Sequence, residues 1–310
     1  IKDEIIKLKK EKNALILAHF YEDGDIQDIA DHVGDSYQLA KWGQESQAEV
    51  ILLAGVVFMA ESVKILNPNK KVLVPDLGAG CSLVDGSPIN KYTKWKQDNP
   101  GSIMVTYINC SAEVKAISDV IITSSNAEKI IAAIPKDKKI LFGPDKNLGH
   151  YISRQCNREM EIWNGYCVVH LLFSSNALEQ LKKENPDAVV LAHPECDEWV
   201  LMHADVIGST SRLLDEVKHN SAKKFIIATE HGILHQMQKF RPEAQLIQAP
   251  IEGSCACNMC PYMKMNTMEK IRDALRDLKP EVKLATDLMQ KAQLPLQRMM
   301  DIVAGKKVNW

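Results

Sequence analysis

Three apolar stretches of this 310-residue chain end in side chains that can move protons or hold a ligand. ALILAHFY closes on His19 and Tyr21, IMVTYINC on Tyr107 and Asn109, and AVVLAHPE on His193 and Glu195. Histidine, tyrosine and glutamate are general acid–base groups. A lone histidine is more often structural, but three equivalent positions all carrying donors or acid–base groups point to function. Glu195 is the natural general base of the set. Seventeen residues beyond His19, Tyr107 and His193 stand Ser36, Ser124 and Thr210, with Asp35, Ser125 and Ser209 beside them. Hydroxyls and free N–H groups at a helix start suit a carboxylate or phosphate, although any one of them alone reads as a plain N-cap.

The eight cysteines are Cys81, Cys110, Cys156, Cys167, Cys196, Cys255, Cys257 and Cys260. In a chain without a secretory signature they favour metal binding or catalysis over disulfides. Cys81, Cys167 and the Cys255–Cys260 group each follow the last apolar strand of a repeating unit. Three widely spaced thiolates suit an iron–sulfur cluster better than the paired ligands of structural zinc. With three thiolates on four irons, one iron is open as a Lewis acid for dehydration chemistry. Cys255-Ala-Cys257-Asn-Met-Cys260 has competing readings, a local zinc site or a redox-active disulfide, and spacing does not say which of its cysteines joins the other two. Cys110, Cys156 and Cys196 read as ordinary cysteines. His170, three residues after Cys167, reads as a ligand, a packed histidine or, preferably, a substrate contact.

The elements that must position these residues form an internal repeat. Asp31, Asp119 and Asp205 stand twelve residues beyond His19, Tyr107 and His193, inside the similar texts IADHVGDS, AISDVIITSS and HADVIGSTS. A further strand follows each time (VILLAG, KILFGP, FIIATE). A helical stretch comes next (MAESVKILN, KNLGHYISRQ, GILHQMQKF), then a last strand (KVLVP, MEIW, AQLIQA). Strand–helix alternation predicts parallel sheets covered by helices on both faces, with ligands beyond the carboxyl ends of the strands. The expected fold is therefore α/β, with three pseudo-symmetric three-layer α/β/α units. Each unit has a four-stranded parallel sheet, and the three surround a central cluster site. The units span residues 1–86, 87–172 and 173–264, with a helical tail at 265–310 interrupted at Pro280 and Pro295. Length alone suggests two domains; the repeat replaces that with three units.

Composition narrows the function classes. Lys plus Arg total 38 and Asp plus Glu 40, a net charge of −2, which offers no broad basic footprint for nucleic acid or an anionic membrane. The longest apolar run, Val50 to Ala60, falls short of the roughly 20 residues that span a bilayer. The charged N-terminal segment lacks a signal-peptide core, so a cytoplasmic location is expected.

AHFY (18–21), IQDIAD (26–31), GDSYQLA (34–40), FMAESVKILNP (58–68), GPDKNLG (143–149), AHPEC (192–196), GST (208–210) and CNMCPYMKMNT (257–267) together resemble the quinolinate synthase family, in order and through nearly the whole chain. The resemblance implies condensation of iminoaspartate with dihydroxyacetone phosphate to quinolinate, phosphate and two waters in NAD biosynthesis. It also implies L-aspartate oxidase or aspartate dehydrogenase upstream, and a [4Fe–4S] cluster with one open iron. Carried onto this sequence, the cluster ligands are Cys81, Cys167 and Cys260, the last because the family ligand lies just before the M-x-x-N-T stretch at Met263 to Thr267. Substrate contacts fall to His19, Ser36, Tyr107, Asn109, Ser124, His170, His193, Glu195 and Thr210. Acid–base roles fall to Glu195, Tyr21, His19 and His193. Cys255 and Cys257 have counterparts in only some members, where a regulatory disulfide is considered. The alternatives are another open-iron hydro-lyase, or a zinc or thiol-redox protein built on the Cys255–Cys260 group.

Overall fold

A computed structural model describes residues 1–252 and 258–310; Cys255 and Cys257 lie outside the described residues. The chain builds three four-stranded sheets, all parallel. The first holds β1 (Ala14–His19), β2 (His32–Gly34), β3 (Val50–Ala54) and β4 (Lys71–Leu73). The second holds β5 (Ile103–Tyr107), β6 (Val120–Ile122), β7 (Ile140–Gly143) and β8 (Glu161–Ile162), and the third β9 (Val189–Ala192), β10 (Val206–Ile207), β11 (Lys224–Ala228) and β12 (Gln245–Gln248). Each sheet has the same order, second–first–third–fourth strand, so the repeat in the sequence is a repeat in topology. Central strands such as Val50–Ala54 are apolar at every position and wholly buried, as a parallel sheet covered by helices on both faces requires.

The aspartates at the twelve-residue offset turn out to be structural. The carboxylates of Asp31, Asp119 and Asp205 accept the backbone N–H of Ile16 (2.8 Å), Met104 (2.7 Å) and Val190 (2.8 Å). Their own N–H groups return to the carbonyls of those same residues. Lys9, Lys96 and Lys182 neutralise them at 2.6, 3.1 and 2.9 Å. Each clamp ties an edge strand to its central strand. That explains why the type and spacing recur although none of the three lines the site.

Registers place the strand ends level. Ala18 pairs with Ala54, Thr106 with Gly143 and Ala192 with Ala228, so His19, Tyr107 and His193 all emerge at the carboxyl edge of their sheets. Past that edge the third unit closes tightly on the first. A Cβ on Gly232 would stand 2.7 Å from the Tyr21 carbonyl carbon, which demands glycine there. Gln27 Nε2 binds the carbonyls of Phe20, Glu22 and Gly232 at 3.0, 2.8 and 2.9 Å, fixing the loop that carries Tyr21.

The tail forms the helices Met268–Asp277 and Thr286–Val303. The first packs Ile271, Ala274 and Leu275 with Ile5 and Leu52, and the second packs Leu296 and Met299 with Val63 and Val105. Pro280 lies between them, but the expected break at Pro295 does not occur: the helix Thr286–Val303 runs through it with the ring buried. Proline inside a helix costs about 3 kcal/mol. Here burial of the ring beside Leu296, Met299 and Met300 offsets that cost. No helix among the described residues is long and apolar enough to cross a membrane.

Candidate active site

A cavity of about 650 Å³, part of it open to solvent, lies where the strand ends of the three sheets meet. All thirteen residues singled out from the sequence line it: the acid–base set at His19, Tyr21, Tyr107, Asn109, His170, His193 and Glu195, the helix-start hydroxyls of Ser36, Ser124 and Thr210, and the thiols of Cys81, Cys167 and Cys260. No lysine or arginine lines it among the described residues. An anion there must be met by backbone N–H groups, hydroxyls and imidazoles.

His19 and His193 are held alike. Nδ1 of His19 accepts the N–H of Tyr21 (3.2 Å), and Nδ1 of His193 accepts the N–H of Glu195 (3.3 Å). With Nδ1 accepting, each neutral ring carries its proton on Nε2. Burial lowers both to about 3, against an opposing pull from Glu195, so both rings are neutral N–H donors at neutral pH. Asp35 and Ser209 cap the helices that begin at Ser36 and Thr210. Ser124 stands instead in the turn before the helix Ala127–Ala133, which starts later than its two counterparts.

Glu195 is buried at the centre of a hydrogen-bond chain. Its Oε1 accepts the Tyr107 hydroxyl at 2.5 Å, and its Oε2 lies 3.0 Å from His170 Nδ1. His170 Nε2 lies 2.9 Å from Thr229 Oγ1, which is 2.7 Å from the Tyr21 hydroxyl. His170 also stacks on His193 with ring centroids 4.7 Å apart. Burial pulls the Glu195 carboxyl up, but His170, His193 and the hydroxyl of Tyr107 more than offset it and hold it down at about 2. Burial, reinforced by Glu195, pushes the Tyr21 phenol well above its ordinary range. Asn109 Oδ1 is buried with no hydrogen-bond partner among the described residues.

The cysteines form a second set. Burial pushes Cys81 up to about 12 and Cys260 up to about 11, and Cys167 also well upward. The backbone N–H groups of the turn after each cysteine pull against that rise, Leu83 and Val84 for Cys81, His170 for Cys167, and Met263 and Tyr262 for Cys260. Backbone N–H groups that favour the thiolate also suit a metal-bound sulfur. Ligands of a single zinc lie about 3.8 Å apart, given a Zn–S distance near 2.3 Å. The three sulfurs are not so gathered. Among the described residues, the trio whose ligand atoms all lie within 4.8 Å of one another is Cys167, His170 and Glu195. In that trio His170 Nδ1 is already committed to the Glu195 carboxylate. The three thiols, one from each sheet's far loop, therefore reach the cavity without the spacing of single-ion ligands.

The family model described as "Quinolinate synthetase A protein" matches residues 3–301. The chain belongs to that family. It is 52% identical over 298 residues to a quinolinate synthase of Microcystis aeruginosa, covering 96% of this chain and 93% of that protein. It is 52% identical over 301 residues to one of Chloroherpeton thalassium, covering 97% and 94%, and 51% identical over 298 residues to one of Nostoc punctiforme, covering 96% and 92%. Membership makes the chain an enzyme, as the acid–base chain beside a set of thiols already indicated.

Sequence reasoning missed Thr229. It stands one residue beyond β11, where the other units carry Gly55 and Pro144. Its repeat partners have no side-chain chemistry, so comparing units could not expose it. Asp145, Asn147 and Glu230 were missed as well. Asn147 Nδ2 holds the Glu195 carbonyl at 3.0 Å, and the two acids contact the cysteine backbones.

Proposed function

We propose that the chain condenses iminoaspartate with dihydroxyacetone phosphate to quinolinate, releasing phosphate and two waters, in NAD biosynthesis. Iminoaspartate would come from an upstream oxidase or dehydrogenase acting on aspartate. The observation that carries this reading is the meeting, in one cavity of a chain from this family, of three thiols from three units with the Tyr21–Thr229–His170–Glu195 chain. Cys81, Cys167 and Cys260 would hold a [4Fe–4S] cluster, whose fourth iron supplies a Lewis acid for oxygen or nitrogen donors of the substrate. The division at 1–86, 87–172, 173–264 and 265–310 belongs to the same proposal.

This chain's residues then divide the remaining work. The helix starts at Ser36 and Thr210, with the hydroxyl of Ser124, receive carboxylate or phosphate, and the Nε2–H groups of His19 and His193 donate to substrate oxygens. Asn109 accepts a substrate N–H or O–H. Proton removal runs along one direction of hydrogen bonds: the Tyr21 hydroxyl donates to Thr229, the Thr229 hydroxyl to His170 Nε2, and His170 Nδ1–H to Glu195. Both oxygens of Glu195 are occupied, by Tyr107 and His170. Glu195 therefore orients the ring and stabilises its cationic form, and the base that takes the proton is His170. Tyr21 meets the substrate and takes a proton from it only as its own passes to Thr229, so no free phenolate, which burial and Glu195 disfavour, has to form.

The test is anaerobic purification followed by metal and product analysis. A brown protein with about four irons per chain that makes quinolinate from the two substrates is expected, and Cys81→Ser should lose both cluster and product. A fully loaded protein that yields no quinolinate would assign the site to a different dehydration. One zinc per chain, or a full iron complement in Cys81→Ser, would overturn the ligand set.

A further inference from the structure

Two buried acids that the catalytic chain does not use occupy equivalent places in the fold. Asp145 lies two residues beyond Gly143, the last residue of β7, and Glu230 two residues beyond Ala228, the last of β11; the first unit has Val56 there. Asp145 and Glu230 are both fully buried. Each divides its two oxygens in the same way. One oxygen caps the chain just ahead: Asp145 Oδ1 accepts Leu148 N–H at 2.7 Å, and Glu230 Oε2 accepts Gly232 N–H at 2.6 Å. The other oxygen reaches across to a cysteine: Asp145 Oδ2 accepts the Cys167 N–H at 3.2 Å, and Glu230 Oε1 accepts the Cys260 N–H at 3.0 Å.

The sequence separation between acid and cysteine differs, 22 residues in one unit and 30 in the other, yet the contact is the same. Holding the chain just ahead needs only one oxygen, and at Asp145, a helix N-cap, Ser, Thr or Asn would serve as well. What the second oxygen adds is a rigid tie between the sheet edge and the residue that presents the thiol. At Cys260 the tie continues, because Lys264 Nζ lies 3.8 Å from Glu230 Oε1 and donates to the Tyr21 carbonyl at 3.0 Å. The position of that cysteine is thus joined to the backbone of the tyrosine at the head of the proton chain.

We infer that Asp145 and Glu230 are positioning residues for the metal-binding group: each sets where one ligand cysteine, Cys167 or Cys260, stands relative to the sheet edge. This rests on the ligand set proposed above. The first unit, with Val56 at the equivalent place, positions Cys81 without such an acid.

Asp145→Asn and Glu230→Gln test it, since each keeps one oxygen for the cap and turns an NH₂ group against the other N–H. The anaerobically loaded protein is challenged with an iron chelator, and loss of its visible absorption is followed together with released iron and the spin-resonance spectrum of the reduced protein. Loss between about ten- and a hundred-fold faster than in the parent is expected, as for removal of other partners that orient metal ligands. An altered spin-resonance spectrum and partial recovery in Glu230→Asp should accompany it. Parent-like loss and an unchanged spectrum in both amide variants would overturn the inference. Thermal unfolding of the metal-free chains separates positioning from collapse: acceleration matched by an equal fall in metal-free stability would also overturn it. Should one amide variant fail to fold, the other decides alone, because the two ties are separate. Cys167→Ser and Cys260→Ser distinguish the two levels of failure. If these retain full iron, the ligand set is wrong; if they lose it while the amide variants do not, only the positioning role falls.

Discussion

Replacing Thr229 by valine asks whether the Tyr21–His170 connection is chemistry or packing. Valine keeps the shape of threonine, and the site is fully buried, so no cavity opens. What is lost is one hydroxyl that partners two groups, Tyr21 Oη at 2.7 Å and His170 Nε2 at 2.9 Å. Leaving two buried polar groups unpaired costs about 1–3 kcal/mol each. If the hydroxyl also passes the proton, its loss removes a general-base contribution of about 10²- to 10⁴-fold. At about 1.4 kcal/mol per decade that is roughly 3–5 kcal/mol of barrier, the same order as the two orphaned partners. Thr229 does not itself line the cavity, so the loss should fall on kcat and leave KM near the parent value. The assay is steady-state quinolinate formation by protein whose iron content is matched to the parent. Thr229→Ser, which restores a hydroxyl, should recover most of the rate. Turnover of the valine variant within about three-fold of the parent, well below the range for general-base catalysis, would refute the relay. So would a rise in KM with kcat intact.

Two further outcomes follow from the scaffold and the buried charges. Asp205→Ala deletes the acceptor of the Val190 N–H and should destabilise the third unit by about 1–3 kcal/mol, read as a lower urea midpoint with turnover per iron unchanged; equal midpoints would deny the clamp its role. Stability of the metal-free chain should peak at about pH 5–6. Below that, His19 and His193 (6.5 lowered to about 3) and Glu195 (4.5 lowered to about 2) bind more protons when unfolded, so stability is lost as pH falls. Above it, Glu22 and Glu230, raised by burial from 4.5 to about 8 and about 7, bind more protons when folded, so stability is lost as pH rises. Urea midpoints that keep climbing from the peak to about pH 8 would contradict the buried-acid assignment.

What could be read from the sequence is what the three units share. Strand ends and the hydroxyls seventeen residues on recur at fixed offsets because a parallel sheet repeats its register, the far-loop cysteines follow at similar but unequal distances, and together they led to the cavity. The shared aspartates at 31, 119 and 205 recur just as strictly and do no chemistry, so recurrence marks what the fold needs and only sometimes what the reaction needs. Pro295 misled for a related reason: a local propensity rule predicts a break, and burial against two units overrides it. Thr229 stayed hidden because it has no counterpart of its own kind, and Asp145 and Glu230 because they act on cysteine backbones and not in the cavity. Thr229 faces a glycine and a proline at the equivalent positions, whereas Glu195, legible because it ends a repeated strand, faces a tyrosine and an asparagine. A threefold scaffold can gather anions symmetrically, through three helix starts or turns. Moving a proton needs a direction, and direction requires that the units differ. The chain from Tyr21 through Thr229 and His170 to Glu195 takes its members from the first, third and second units and then the third again. The polarity proposed for it depends on no two units supplying the same group.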